Sequence, residues 1–336
     1  MKLDVMLVKT LLEDAAATAG LAEDAGFDGL WVTEVSSNPF LPIATASQAT
    51  SRIELGTAVA LAFVRSPMVT ALTAWELQRA SQGRFILGLG TQVKAHNERR
   101  FSVPFEAPMA KLREQVIALN QIYAAFQGTA PLKFRGEHYR LDMLPDVFNP
   151  GPMDFSPPPT YLAAVNPLAY RVAGEVADGV HVHPFHTPQY VREVALPEIA
   201  TALAKAGRTR ADFTISAQVL TIVTGGEKRG AMEEYIRGQM AFYGSTRTYR
   251  PVLEMAGYGD LSDRLHELMA QGDQAGLLRA IPDEMVPEFA VVGETWDEVA
   301  SKARERYDGL FDRISLYTMP DLTDPATRKI TAAFTA

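Results

Sequence analysis

The stretch 81–98, SQGRFILGLGTQVKAHNE, decides the fold class of this chain. A helix is predicted to end at Gly83, and a strand of core residues follows over 84–89. The strand runs into a glycine and a polar loop, whose residues include Gly90, Thr91, Gln92, Lys94, His96 and Asn97. Parallel α/β proteins build their ligand sites at such strand ends. The stretch therefore predicts a parallel α/β fold with one edge of a ligand site at this loop.

The rest of the chain repeats this unit of strand and helix. Strands are predicted over 2–8, 29–33, 53–61, 84–89, 160–165, 179–183, 213–223 and 313–317, and helical patterns separate them. Four helix-to-strand turns are alike: AGFDGL (25–30), SQGRF (81–85), VADGV (176–180) and YDGLFDRI (307–314). In each turn, a glycine lies where a helix ends in the left-handed conformation. Unless the turns are alike by chance, the repeat predicts an α/β protein with a TIM-like (β/α)8 barrel.

Two segments interrupt the repeat, one after the fourth strand and one after the seventh. The first, 130–159, holds a predicted hairpin, LKFRGEHYRL, and a proline-rich connector, and the second, 227–287, has a mostly helical pattern. Barrels place functional insertions beside the C-terminal ends of their strands, so we expect both segments there. Neither is composed like an interdomain linker, and 1–336 is therefore predicted to be one domain.

Composition and charge exclude several classes of protein. A formal net charge of −8 argues against binding to nucleic acid or to anionic membranes. The absence of cysteine excludes disulfides, thiolate metal sites and cysteine nucleophiles. Asp4, Glu13 and Asp14 come too early for a signal peptide, and no apolar run approaches the roughly 20 residues that span a bilayer. We expect a soluble, cytoplasmic protein.

Five segments carry a family likeness: EDAGFDGLWVTE (23–34), RIELGTAVALAFVRSP (52–67), GRFILGLGTQVKAHNERRF (83–101), TYLAAVNPLAYRVAGEVADGV (160–180) and VVGETWDEVASKARERYDGLFDRISLY (291–317). In this order they resemble the bacterial-luciferase-like superfamily of flavin and deazaflavin enzymes, and most closely its coenzyme F420-dependent oxidoreductase branch. The likeness covers the chain apart from the two insertions. It implies a TIM-like barrel with a tricyclic cofactor in its C-terminal mouth, two-electron hydride chemistry and a homodimer.

The resemblance implies where the cofactor ring binds. Related proteins carry a non-proline cis peptide in the third strand, and the matching bond here joins Ala58 to Val59. The alternative is a plain core strand of small residues. Gly90, Thr91 and Asn97 match the loop that lines the edge of the ring. Glycine lets the backbone approach a flat ring closely, and the other two side chains supply hydrogen bonds.

The resemblance also implies where the cofactor phosphate binds. Val165 and Asn166 follow the fifth strand, and Pro167 opens a helix whose free N–H groups and dipole favour an anion. Relatives hold the phosphate at this turn, usually through glycine or serine. We expect His183 and His186, in GVHVHPFHT (179–187), to contact the phosphate or the cofactor tail, because relatives use polar or cationic side chains there.

Three histidines in this segment raise the question of a metal site. Acidic residues are absent from 181–192, so no carboxylate stands at ligand spacing, and no metal is predicted. The first of the three, His181, is expected to pack inside the barrel. Arg247 and Arg250 are candidates for binding an anionic tail or substrate, or else ordinary surface charges.

The group that moves a proton is predicted from the end of the second strand. Glu34 lies where relatives place an acidic residue at the cofactor ring, and such a carboxylate can donate or accept a proton. The alternative is a buried salt bridge, with Arg65 as a partner. Many relatives have a histidine directly after this acid, but this chain has Val35. His96 is the predicted replacement from another loop, and Lys94 either reaches substrate or belongs to a solvated loop.

The leading hypothesis is an oxidoreductase that transfers a hydride between coenzyme F420 and a small organic substrate. The alternative within the superfamily is an FMN-dependent two-component monooxygenase that needs a separate reductase. A non-redox barrel enzyme that binds phosphate is a further alternative, but such enzymes present a catalytic lysine or paired carboxylates, and only Lys94 lies suitably. The last alternative is a barrel protein that binds the cofactor but catalyses no reaction.

Overall fold

The fold is a closed barrel of eight parallel strands, as the repeat predicts, and it is described here from a computed structural model. The structure describes residues 1–8, 11–225, 229–318, 320–324 and 327–335. In chain order the strands are β1 (Lys2–Leu7), β2 (Gly29–Val32), β3 (Glu54–Thr57), β4 (Ala60–Leu61), β5 (Phe85–Gly90), β6 (Phe134–Arg135), β7 (Arg140–Leu141), β8 (Thr160–Ala164), β9 (Gly179–Val182), β10 (Thr214–Val223), β11 (Ala290–Gly293) and β12 (Arg313–Leu316). Barrel neighbours follow the order β1, β2, β3, β5, β8, β9, β10 and β12, and the pairing of β12 with β1 closes the ring.

Helices surround the barrel and cover its apolar outer face. They are α1 (Ala15–Asp24), α2 (Phe40–Ala49), α3 (Pro67–Ala80), α4 (Lys94–Arg100), α5 (Pro108–Phe126), α6 (Pro167–Val176), α7 (Pro188–Tyr190), α8 (Leu196–Lys205), α9 (Arg229–Gly244), α10 (Arg250–Met255), α11 (Gly259–Gln271), α12 (Gln274–Ala280), α13 (Met285–Phe289), α14 (Trp296–Tyr307) and α15 (Thr327–Thr335). None of the described helices is both long and apolar enough to cross a membrane.

Glycine turns connect helices to strands at three of the four predicted positions. Gly26, Gly83 and Gly309 have positive φ angles of 92°, 85° and 72°, as a left-handed helix end requires. The fourth prediction was wrong, because Gly179 is the first residue of β9 and has no left-handed conformation. There, a Cβ atom would lie 2.6 Å from Tyr161 Cδ1, so close packing inside the barrel requires this glycine.

An ion-pair network fills the barrel interior near the N-terminal ends of the strands. Arg313 of β12 makes two hydrogen bonds to Asp4 of β1, at 2.7 and 2.8 Å, and both side chains are buried. Its third nitrogen donates to Glu54 at 2.8 Å, and Trp31 Nε1 donates to Asp4 at 2.8 Å. A second layer above it contains Trp31 with Met6, Ile86 and Tyr161. This end of the barrel is therefore closed by side chains.

Three elements differ from the sequence prediction. The polar loop after β5 contains a helix, α4, and a short strand, β11, extends the sheet beside the C-terminal half of β10. A last helix, α15, packs against α14.

The two insertions occupy different places. In the first, the predicted hairpin forms as the antiparallel pair β6–β7, and its turn contacts Glu114 near the start of α5. The connector was expected at the C-terminal side of the strands, and that was wrong: Pro150 and Gly151 accept hydrogen bonds from Arg79 and Trp75 of α3. It passes the end of α3, where the N-terminal ends of the strands lie. The second insertion covers the C-terminal side as expected, although its predicted start at Glu227 lies outside the described residues.

Candidate functional site in the barrel mouth

One wall of the barrel mouth is made of small residues with closely spaced backbones. The peptide bond between Ala58 and Val59 is cis, as the resemblance implied, and it lies in the interruption between β3 and β4. Gly90 ends β5 beside it: a Cβ atom there would lie 2.7 Å from Val59 Cγ2 and 3.4 Å from Ala163 Cβ. Ala58, Val59 and Ala163 are partly exposed. The wall is therefore built of small residues that are partly accessible from the mouth.

The loop after β5 is held by Asn97, which sits on the first turn of α4. Asn97 is buried, and its amide nitrogen donates to the carbonyl oxygens of Thr91 and Val93, at 2.9 and 3.1 Å. Its Oδ1 atom is buried and has no hydrogen-bond partner among the described residues. An acceptor left without a donor costs about 1–3 kcal/mol, and a ligand N–H or O–H group can remove that cost.

Glu34 lies in the mouth after β2 and forms the ion pair that was weighed against a catalytic role. Arg65 donates to both carboxylate oxygens, at 2.6 and 2.9 Å, and the backbone N–H of Leu61 donates at 2.7 Å. The two side chains are 6% and 15% exposed. The carboxylate therefore fixes the position of β4, next to the cis peptide, and its role in proton transfer stays a prediction.

His96 and Lys94 are exposed on α4. Lys94 pairs with Glu98 one turn later, at 3.8 Å, which is an ordinary surface contact. His96 precedes Arg100 by four residues, so both lie on the same face of the helix. Arg100 donates to the carbonyl oxygen of Val35. This face therefore turns toward the loop that follows β2, but within the described part of the chain no hydrogen bond joins His96 to Glu34.

The predicted phosphate turn is the start of α6. Asn166 is the N-cap residue, and its side chain accepts the N–H of Ala169 at 3.0 Å, with Pro167 in the first turn. The Val165 carbonyl accepts a hydrogen bond from Tyr190 at 3.1 Å. The Asn166 side chain thus occupies one of the backbone N–H groups in the first turn of α6, which were predicted to be free. The helix dipole and the remaining N–H groups of this turn still favour an anion.

The three histidines in and just after β9, the sixth strand of the barrel, lie in three different environments. His181 points into the barrel, with its ring at 4.9 Å from the Trp31 ring and its Nδ1 at 3.2 Å from Ser216 Oγ. His186 is buried against Tyr307 and Phe311, beside α14 in the outer helical layer. Its Nδ1 lies 2.7 Å from the carbonyl oxygen of His183, so the His186 ring packs in the outer layer while its backbone neighbour faces the mouth. Burial lowers the pKa of His181 to about 3 and that of His186 to about 4, so both rings are neutral.

His183 alone faces the mouth, where the second insertion covers it. Its Nε2 lies 3.2 Å from the Tyr249 hydroxyl and its Nδ1 accepts the N–H of Phe185 at 3.1 Å. Burial lowers its pKa to about 3, and nearby His186 adds to the shift. The neutral ring cannot act as a cation toward a phosphate or an anionic tail, so any contact it makes is a hydrogen bond or packing.

Sequence reasoning missed a group of tyrosines above His183. Tyr243 from α9 packs edge-on against the imidazole at 4.5 Å, and its hydroxyl lies 2.7 Å from that of Tyr317. Tyr317 follows β12 and donates to Gln239 at 2.8 Å. Burial raises the pKa of Tyr243 to about 12, so it stays a hydrogen-bond donor. Tyr243 and Tyr249 could not be predicted to lie here, because the helical pattern of the insertion does not show which face meets the barrel.

The remaining charged candidates have partners on the insertion. Arg250 pairs with Glu254 at 2.7 Å and with Asp263 at 3.0 Å, and Arg247 lies 3.8 Å from Asp263. Their charges are balanced locally, which fits the interpretation as surface charges. Among the described residues, no group of three or more histidine, cysteine or acidic side chains is placed to hold a metal ion.

The residues of the mouth fit a planar cofactor. Gly90 leaves no room for a Cβ beside Val59, and Asn97 offers an unpaired buried acceptor close to the same loop. The start of α6 supplies an anion site on a neighbouring strand end. Fold and site together define a TIM-barrel protein with a candidate ligand site in its C-terminal mouth.

The chain belongs to the luciferase-like monooxygenase family, whose family model matches residues 2–313. It is 42% identical over 316 residues to an uncharacterized protein of Mycobacterium tuberculosis, with 94% of this chain and 92% of that protein covered. It is 28% identical over 302 residues to a putative coenzyme F420-dependent oxidoreductase of the same organism, with 84% of each covered. The structure of the coenzyme F420 dependent tetrahydromethanopterin reductase from Methanopyrus kandleri has the same fold. Its TM-score is 0.78 at 21% identity, over 99% of this chain and 97% of that one.

Proposed function

We propose that this protein is an oxidoreductase that transfers a hydride between coenzyme F420 and a small organic substrate. The observation that carries the proposal is the wall in the mouth, where the partly exposed Val59 and Ala163 lie so close to Gly90 that no Cβ atom fits between them. The F420-dependent oxidoreductase among its relatives supports the choice of cofactor. When bound, F420 supplies a ring carbon that accepts or gives up a hydride.

Each part of the mouth has a distinct task in this proposal. Ala58, Val59 and Gly90 support one face of the ring, while Thr91 and Asn97 hydrogen-bond to its edge. Separately, the start of α6 binds the phosphate through backbone N–H groups around Val165 and Asn166. The tyrosines and His183 cover the opposite side, which excludes water from the reacting atoms and holds the substrate against the ring.

The second candidate is an FMN-dependent monooxygenase that works with a separate reductase. The family model that matches the chain is named for monooxygenases, and this favours it. A flat ring and a phosphate are features of both cofactors, so the same wall and the same helix start serve either one. The two candidates differ in the cofactor that binds, and that is what the experiment measures.

The test is a titration of the purified protein with F420 and with FMN, followed by the fluorescence of each cofactor. We expect saturable binding of F420 at micromolar concentration or below, and weaker binding of FMN. Tight binding of FMN with no binding of F420 would overturn the proposal in favour of the monooxygenase. Binding of neither would remove both candidates.

We also propose a cytoplasmic homodimer. Leu41 on α2 and Val69 and Leu72 on the neighbouring α3 are 53%, 50% and 37% exposed, and apolar side chains exposed on two adjacent helices support a protein contact there. Light scattering measures the mass directly, and a monomer at micromolar concentration would contradict the proposal.

A further inference from the structure

A groove runs along one face of α9, between this helix and the pair α11–α12 of the second insertion. Its volume is about 710 Å³, within the range of pockets that hold small organic molecules. The α9 side is one helical stripe, and the opposite side is formed by Met269, Leu277 and Leu278. The groove lies outside the wall and the helix start described above.

The lining of the groove is apolar, aromatic and almost uncharged. Phe242 and Tyr235 lie on the stripe and are 53% and 45% exposed, which is a large apolar area to leave in water. Glu234 is the one charged side chain among the described residues that line it, and no lysine or arginine is among them. An anionic ligand would meet a carboxylate without a balancing cation, so the lining favours a neutral molecule.

The inner end of the groove reaches the barrel mouth at Tyr317. The ring of Tyr235 lies 6.2 Å from the Tyr317 ring, and the Gln239 side chain accepts a hydrogen bond from the Tyr317 hydroxyl at 2.8 Å. Both of these α9 residues also line the groove. Tyr317 in turn meets the hydroxyl of Tyr243, whose ring packs on His183. The groove and the mouth therefore share one wall of hydrogen-bonding side chains.

We propose that this groove is a second ligand site, separate from the mouth, and that it binds a neutral, largely apolar molecule with one hydrogen-bonding end. The apolar body lies between Phe242 and the leucines of α12, and the polar end meets the amide of Gln239 and the Tyr317 hydroxyl. Phosphorylated and carboxylate-bearing ligands are disfavoured, because the described residues that line the groove include no cationic side chain to receive them.

Gly238 gives a direct way to block the groove. It lies on the lining stripe in the middle of α9, and the nearest atom to an added Cβ is Leu278 Cδ2, at an ordinary contact distance of 3.7 Å. A longer side chain there extends into the groove without meeting the backbone. Gly230 is the matched control, since it lies on the same helix, outside the lining, with nothing within 4 Å of an added Cβ.

The experiment measures binding of Nile red, a neutral apolar dye, and of anilinonaphthalene sulfonate, an anionic one, to the full chain without cofactor. We expect saturable binding of Nile red and at least tenfold weaker binding of the sulfonate, about 1.4 kcal/mol or more. Gly238→Leu is expected to weaken Nile red binding about tenfold, whereas Gly238→Ala and Gly230→Leu leave it unchanged. Circular dichroism checks that each variant folds.

The F420 titration of the same variants separates the two proposals. Gly238→Leu should bind F420 like the parent protein, because Gly238 is no part of the cofactor wall. Unchanged Nile red binding in folded Gly238→Leu, or equal affinity for the sulfonate, would overturn the groove as a site for neutral ligands. If Nile red behaves as expected and F420 fails to bind the parent protein, the proposed function falls and the groove stands as a site for neutral ligands.

Discussion

The mouth of this barrel depends on the size of single residues. Gly90 lies between Val59 and Ala163 at distances that admit no further atom. Gly88, two residues earlier on the same face of β5, is tighter still, since a Cβ there would lie 1.8 Å from the carbonyl oxygen of Thr57. Small residues on this side therefore determine how close a ligand can come to the backbone.

Gly90→Ala tests the wall as a ring-binding surface. The added methyl group must displace the Val59 side chain. We therefore expect F420 to bind about tenfold more weakly while the fold persists. The fluorescence titration measures the change. Gly20→Ala is the control, since nothing lies within 4 Å of its added Cβ on α1. Equal F420 affinities for Gly90→Ala and the parent protein would show that the ring binds elsewhere.

Glu34→Gln tests the buried ion pair beside the wall. The amide leaves Arg65 without its anionic partner, and we expect the free energy of unfolding to fall by about 3 kcal/mol. Urea denaturation measures this loss. Glu76→Gln, which breaks a surface pair with Arg79, should cost about 0.5 kcal/mol or less. A loss no larger than that of the control would mean that Glu34 contributes little to the fold.

At the scale of elements, the sequence predicted the barrel strands well and the α4 helix poorly. Buried strands appear in the sequence as short runs of apolar residues, and these runs are the clearest pattern in the chain. The α4 sequence KAHNERR buries only Asn97, so it has no apolar period and was predicted as a loop. The strand β11 has four residues, AVVG, and an apolar run of that length cannot be told from part of a helix.

Asn166→Ala tests the start of α6 as an anion site. Removal of the N-cap should lower the free energy of unfolding by about 1 kcal/mol and weaken F420 binding, because the end of the helix frays at the phosphate. Thr295→Ala removes the N-cap of α14, which follows β11 outside the closed ring of strands, and should cost similar stability without changing F420 affinity. Parallel loss of affinity in both variants would contradict a phosphate site at α6.

At the scale of the whole molecule, the buried network of Arg313 joins the first strand to the last. Arg313→Met leaves Asp4 buried without a cation, and we expect a loss of about 3–5 kcal/mol in the free energy of unfolding. Urea denaturation gives the value, and the double variant Asp4→Leu with Arg313→Met should recover part of it. A single variant as stable as the parent protein would show that the pair does not hold the barrel closed.

Buried histidines should make the protein sensitive to mild acid. Burial lowers the pKa values of His181 and His183 to about 3 and that of His186 to about 4, while an unfolded histidine titrates near pH ~6.5. Between these values the unfolded chain binds more protons than the folded one, so stability is full above pH ~6.5 and is lost as the pH falls toward ~4. Each histidine contributes about 1 kcal/mol between pH ~7.5 and ~5.5.

Urea denaturation across this pH range measures the slope. His186→Phe should flatten it, because the phenyl ring keeps the packing against Tyr307 without binding a proton. His96→Gln, which removes an exposed ring, is the control and should keep the slope of the parent protein. An unchanged slope in His186→Phe would mean that other groups control acid sensitivity.

The sequence alone determined the barrel, its order of strands, the strand ends that border the mouth and, through family resemblance, the position of the cis peptide. These features follow from local patterns, because apolar periodicity and glycine turns act within a few residues. Only the tertiary structure decided which of Glu34, His96, His183 and His186 come together. It paired Glu34 with Arg65 and packed the His186 ring against Tyr307. It also placed Tyr243 and Tyr249 over His183. Such contacts join residues tens to hundreds of positions apart, and no local pattern carries that information.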